Sequence, residues 1–128
     1  MKTLILLLVA LGAGFAGWWA WQHKPRKHDP VEYFSGWDGY NLPIRLTGRI
    51  TKEEADAIAA QGYAYMIGHY DEANRLVRDV KMLDGKVFFE HVYEYDPSGR
   101  LMRVKATNPD GVETVREYGR GGRPGFFW

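Results

Sequence analysis

Lys86–Tyr118 reads KVFFEHVYEYDPSGRLMRVKATNPDGVETVREY. From Lys86 to Tyr95 the side chains alternate, with Val87, Phe89, His91, Tyr93 and Tyr95 on one face. Phe88, Glu90, Val92 and Glu94 take the other. A period of two is the signature of a strand with two different faces. Leu101–Lys105 and Val112–Tyr118 can alternate in the same way. Turn formers separate these runs: Asp71-Glu72-Ala73-Asn74, Asp84-Gly85, Asp96-Pro97-Ser98-Gly99 and Pro109-Asp110-Gly111. Strands joined by links this short predict an antiparallel meander. The 8 Tyr, 6 Phe and 5 Trp suit the broad side-chain surfaces of a sheet.

The meander carries an internal echo. Tyr70-Asp71-x-x-Asn74-Arg75-Leu76 matches Tyr95-Asp96-x-x-Gly99-Arg100-Leu101 at an offset of 25 residues. Asp84-Gly85 matches Asp110-Gly111 at an offset of 26, and Tyr118-Gly119 starts a third, degenerate copy. Asn74 in place of Gly99 is the exchange expected where a turn needs positive φ, which both residues tolerate. The pattern resembles the YD repeat of RHS-type bacterial proteins, over about two units between residues 65 and 120. The resemblance implies hairpin building blocks of the kind also found in small bacterial domains. Two units are too few to enclose anything, so the shell-forming role of long arrays is not implied.

Upstream, Val31–Ile50 mixes aromatics with turn residues. Asp38-Gly39, between Tyr33-Phe34 and Tyr40, predicts a hairpin, and Pro43 predicts an edge strand because proline cannot donate to a ladder. Thr51-Lys52-Glu53-Glu54 fits a capping box, with Ala55, Ile58 and Ala59 at helical spacing and Gly62 as the stop. One short helix over about residues 52–61 follows from this.

The start of the chain is different. Leu4 to Trp21 is apolar throughout, and as an 18-residue helix it would be about 27 Å long, close to a bilayer's hydrocarbon core. Trp18, Trp19 and Trp21 followed by Lys24, Arg26 and Lys27 match a membrane-interface belt and a basic stop. Length and tryptophans favour a retained anchor over a cleaved signal, for which Met1-Lys2 is the basic start. The bacterial inner membrane is the expected location, single-pass. The basic cluster favours a cytoplasmic domain over a periplasmic one by a small margin. Gly12 with Ala16, and Ala13 with Gly17, form a strip on which another helix could dock.

The sequence thus predicts a mainly β protein with one N-terminal transmembrane helix. Residues 1–22 are the anchor, 23–30 a basic juxtamembrane linker, 31–120 a small antiparallel β-meander of about five to seven strands plus one short helix, and 121–128 a Gly-rich aromatic tail. Setting Lys2, Lys24, Arg26 and Lys27 aside from the 17 basic residues leaves 13 against 16 acidic ones. Such a balance argues against nucleic-acid binding. The chain has no cysteine, which removes disulfides, thiolate catalysis and Cys-based zinc sites. His69 and His91 lack the local spacing of metal ligands. Ser35 and Ser98 sit outside a nucleophile elbow. No catalytic, cofactor or metal residue is predicted.

The expected partners are membrane lipid and an integral membrane protein. The leading expectation is a non-catalytic accessory or scaffold subunit of a membrane complex, contacted through Gly12, Ala13, Ala16, Gly17 and the tail aromatics Phe126, Phe127 and Trp128. The alternative is an envelope ligand-binding module for sugar or peptide, which a pocket lined by Tyr93, Tyr95 or Trp37 would favour. An enzyme would require His69 and His91 to converge.

Overall fold

A computed structural model describes residues 26–39 and 41–119. The apolar run Leu4–Trp21, its docking strip, Lys24 and the tail from residue 120 lie outside the described residues. Among the described residues no helix is long and apolar enough to cross a membrane.

The chain forms β1 (Val31–Asp38), β2 (Arg45–Ile50), α1 (Lys52–Ala60), β3 (Ala64–Tyr70), β4 (Leu76–Leu83), β5 (Lys86–Tyr95), β6 (Leu101–Thr107) and β7 (Glu113–Glu117). Every pairing is antiparallel, in one sheet of order β2-β1-β3-β4-β5-β6-β7. The predicted meander is therefore confined to β3–β7. β2 does not lie beside β3, because β1 separates them. The hairpin with β2 uses one edge of β1, and α1, packed against β1 and β3, carries the chain back to the other edge. β2 is an edge strand, as Pro43 predicts, with Pro43 itself in the segment before it. The hairpin returns at Arg45 rather than at Tyr40.

The helix follows its sequence signals. Thr51 Oγ1 accepts from the Glu54 N–H and Glu54 Oε1 accepts from the Thr51 N–H, each at 3.1 Å. Two orphan donors of the first turn are thereby satisfied. At the other end the Gly62 N–H donates to the Ala59 carbonyl at 3.0 Å and the Tyr63 N–H to Ile58 at 3.1 Å. This is the double bond of a glycine-terminated helix, with Gly62 at φ 77. Ala55, on the apolar side, is wholly buried.

The sequence echo is also a structural one. The Asp71 N–H donates to Arg75 and the Asn74 N–H to Asp71, both at 3.0 Å; Asp96, Gly99 and Arg100 repeat this at 2.8 and 2.9 Å. Asn74 has φ 65 and Gly99 φ 89, the shared left-handed position. Each copy also ends in the same β-bulge. Tyr70 pairs with Leu76 and Tyr95 with Leu101, passing over Val77 and Met102. The two Asp-Gly pairs, by contrast, are not equivalent. Asp84-Gly85 is a two-residue turn with φ 52 and 71. Asp110-Gly111 sits inside a third copy of the Asp71-type turn. There the Asn108 N–H donates to Val112 and the Gly111 N–H to Asn108, both at 3.0 Å. Asn108 replaces aspartate because its side-chain oxygen can accept from the Val112 N–H in the same way, at 2.9 Å.

Two apolar clusters share one sheet face: Phe34 with Ile44 and Met66, and Leu76 with Tyr93 and Val104. Leu42 and Leu46 pack against both. β1 and β5 stand three strand spacings apart, about 14 Å in a flat sheet. Yet the Trp37 and Phe89 ring centroids are 6.0 Å apart. The β1–β2 hairpin tip therefore folds over this face, while α1 covers part of the other. Gly68 marks the closest approach: a Cβ there would stand 2.6 Å from Leu46 Cδ1 and 3.0 Å from Tyr70 Cε2. Gly68→Ala is expected to cost about 1–3 kcal/mol by overpacking, read as a lower urea midpoint. Gly36→Ala, whose Cβ meets only Thr47 Oγ1 at 3.8 Å, should stay within about 0.5 kcal/mol of the parent.

Candidate functional site

The folded-over hairpin leaves a cleft against the meander. Its lining includes Trp37, Leu42 and Ile44 from the hairpin, Phe89 and His91 from β5, and Arg116 from β7, around about 400 Å³. Phe89 and His91 also line a neighbouring depression of about 400 Å³ with Ala106, Asn108, Val112 and Thr114. His91 thus stands between the two. Trp37 is 40% exposed, so a broad ring face remains for contact.

A buried polar chain supports the cleft floor. Asp79 on β4 is 0% exposed. Its Oδ1 lies 2.8 Å from His91 Nδ1, and its Oδ2 accepts a short hydrogen bond from the Tyr93 hydroxyl. The Tyr93 oxygen in turn accepts from the Ile44 N–H at 3.3 Å. Burial first, and then the Asp79 charge, push the Tyr93 phenol well above its ordinary value. Tyr93 therefore remains a donor. Because a carboxylate only accepts, the His91 hydrogen is assigned to Nδ1 and Nε2 is the ring's remaining polar atom. This chain fastens the hairpin loop to β5 and fixes the His91 ring, which packs on Phe89 at 5.1 Å between centroids.

Lys81, next but one along β4, lies opposite Phe89. Its ammonium stands 4.8 Å from the Trp37 ring centroid and 5.0 Å from that of Phe88. The aromatic wall of the cleft therefore carries a cation.

A second buried carboxylate, Glu32, is 2% exposed at the start of β1. Arg26 binds it through both guanidinium ends at 2.6 and 3.0 Å, with His28 Nδ1 at 2.8 Å and the Asp29 N–H at 3.0 Å. His28 stacks on Tyr70 at 3.8 Å, and its N–H donates to Asn74 Oδ1 at 2.6 Å. The Arg26 hydrogen bonds are the main reason the Glu32 carboxyl is lowered to about 2, against the opposing effect of burial. Residues 26–30, read from sequence as linker, are thus bound onto the sheet.

Of the predicted site residues, Gly12, Ala13, Ala16, Gly17, Trp18, Trp19, Trp21, Lys24, Phe126, Phe127 and Trp128 lie outside the described residues. Arg26 sits on Glu32 and Lys27 is exposed. His69 pairs across with Arg78, and His91 with its neighbour Asp79, so the two histidines occupy opposite sheet faces and do not converge. Among the described residues no group of three or more His, Asp or Glu side chains is placed to hold a metal ion. Sequence reasoning missed Asp79, Lys81 and Glu32. Asp79 left one signal: an acid between Val77 and Val80 in a strand, where aspartate is depleted unless something pairs with it.

Fold and site together define a class: a small domain of one open antiparallel sheet, overlaid by its own first hairpin, with an aromatic cleft beneath. The model of the family of unknown function DUF6156 matches residues 26–125, and the chain belongs to that family. No curated protein and no solved structure matches it.

The Glu32 cluster has a pH consequence. A carboxyl titrating at about 2 in the fold, against an ordinary 4.5, stabilises fully above about pH 4.5 and loses that contribution as pH falls towards 2. The loss should be about 2–3 kcal/mol in urea titrations across that range. Glu32→Gln should remove most of this slope and lower stability at pH 7.

Proposed function

We propose that this domain is a non-catalytic ligand-binding module, held at a membrane by residues 1–22, whose cleft receives a small ring-bearing ligand. The observation that carries this reading is the cleft of about 400 Å³ between Trp37 and the Phe89–His91 strand. Ligand sites are concave and mostly apolar, with a few fixed polar groups. Here the Trp37 and Phe89 rings supply the apolar walls, and the Asp79–His91–Tyr93 chain holds a polar atom in place. A sugar ring laid on Trp37, or a peptide side chain inserted beside it, fits this chemistry. NMR titration of the isotope-labelled full chain in detergent micelles, with saccharides and short peptides, tests it. Shifts centred on the Trp37 indole and the His91 ring are expected; shifts confined to α1 or scattered over the surface would end the reading.

A second reading, an accessory subunit against an integral membrane protein, is favoured by exposed apolar residues at one sheet end: Tyr63 at 64%, Leu83 at 37% and Val87 at 54%. Ala64 pairs with Leu83 and Met82 with Val87, which places the three together. This reading predicts a native mass in mild detergent above that of the monomer, reduced to the monomer by Val87→Asp. A monomer in both chains argues against it.

A further inference from the structure

We infer that the ligand of this cleft carries a carboxylate on a flat ring. The inference rests on the ligand-binding reading above and goes further by naming the ligand's chemistry. The ionisable residues lining the cleft are His91 and Arg116, and no aspartate or glutamate lines it. Elsewhere the sheet pairs its cations with acids: Arg75 with Asp71, Arg78 with Glu90, Arg100 with Asp96, Lys105 with Glu113.

Lys81 departs from that habit. Among the described residues it makes no ion pair. Its ammonium instead lies against the rings of Trp37, Phe88 and Phe89, at 4.8, 5.0 and 5.9 Å from their centroids. Asp79, on the same strand face, already accepts from Tyr93 and contacts His91. A half-buried cation held on aromatic faces without a counter-charge attracts an anion more strongly than one in bulk water. The rings beside it offer a flat apolar surface to whatever bears that anion.

The anion is a carboxylate rather than a phosphate. Phosphate sites draw on converging backbone N–H groups at a helix N-terminus or glycine loop. This cleft is lined from strands and a hairpin loop, and a monoanion suits the side-chain cation at its wall. A volume of about 400 Å³ admits one ring with its substituents. An aromatic acid and a uronic acid both have this form.

The test uses the full chain in detergent micelles and two probe pairs: phenylacetate with phenylacetamide, and glucuronate with glucose. At least one acid should shift the Trp37 and His91 resonances and bind about tenfold more tightly than its neutral counterpart. Lys81→Met should abolish that difference without weakening the neutral probe, and Lys81→Arg should preserve it. Neutral probes that bind at Trp37 as tightly as the acids would leave the cleft a binding site and overturn the carboxylate. An unchanged difference in Lys81→Met would also overturn it. No shift at Trp37 or His91 with any probe, in the full chain and in a chain ended at Gly119, would end the cleft reading itself. Acid binding seen only in the shortened chain supports the inference and marks the aromatic tail as a competitor for the same cleft.

Discussion

A carboxylate shut away from water must be given partners, because an unpaired buried charge costs several kcal/mol. Asp79 imposes this constraint at the middle of the sheet. Its two oxygens fix the positions of His91 and Tyr93 on the next strand, and Tyr93 fixes Ile44 in the hairpin loop. One side chain thus ties together the fourth strand, the fifth and the segment that folds over them. Without that tie the hairpin would be held over the sheet by apolar contact alone. Such contact tolerates sliding, whereas a hydrogen-bonded chain specifies one arrangement. The cleft depends on it, since Trp37 and Ile44 on one side and Phe89 on the other keep their separation only while the hairpin stays in place.

Local features were legible in the sequence. The capping box at Thr51, the stop at Gly62, the alternation of Lys86–Tyr95 and the positive φ at Asn74 each depend on residues within one turn or one strand. Their chemistry is complete over a few positions. The seven-strand antiparallel sheet with one helix follows from adding such signals together. What the sequence did not disclose depends on distance along the chain. Ile44 and Tyr93 are 49 residues apart, and Arg26 reaches Glu32 only because the chain doubles back onto the sheet. The order of the first strands is of the same kind. Nothing in Val31–Ile50 states that β3 will choose the free edge of β1 over that of β2.

The Asp-Gly pairs show how a repeat can mislead. Asp84-Gly85 and Asp110-Gly111 match in letters and spacing but form different turns, because the hydrogen-bond pattern is set by the residue that opens each turn. At Asn108 a side-chain acceptor opens a longer turn, and Gly111 closes it. At Leu83 there is no such acceptor, and Asp84 with Gly85 forms the whole connection. An opening acceptor followed three residues later by Asn or Gly is thus the better marker of this turn than the dipeptide.

The clasp of Arg26 and His28 on Glu32 sets how far the sheet can stand from whatever precedes it. Only residues 22–25 separate Trp21 from the first clasped residue, a leash of at most about 14 Å when fully extended. On the anchor reading, that is less than the width of the sheet itself. The domain would work against the bilayer surface, with little freedom to sample the space beyond it, and a ligand or partner would have to come to the membrane to meet it.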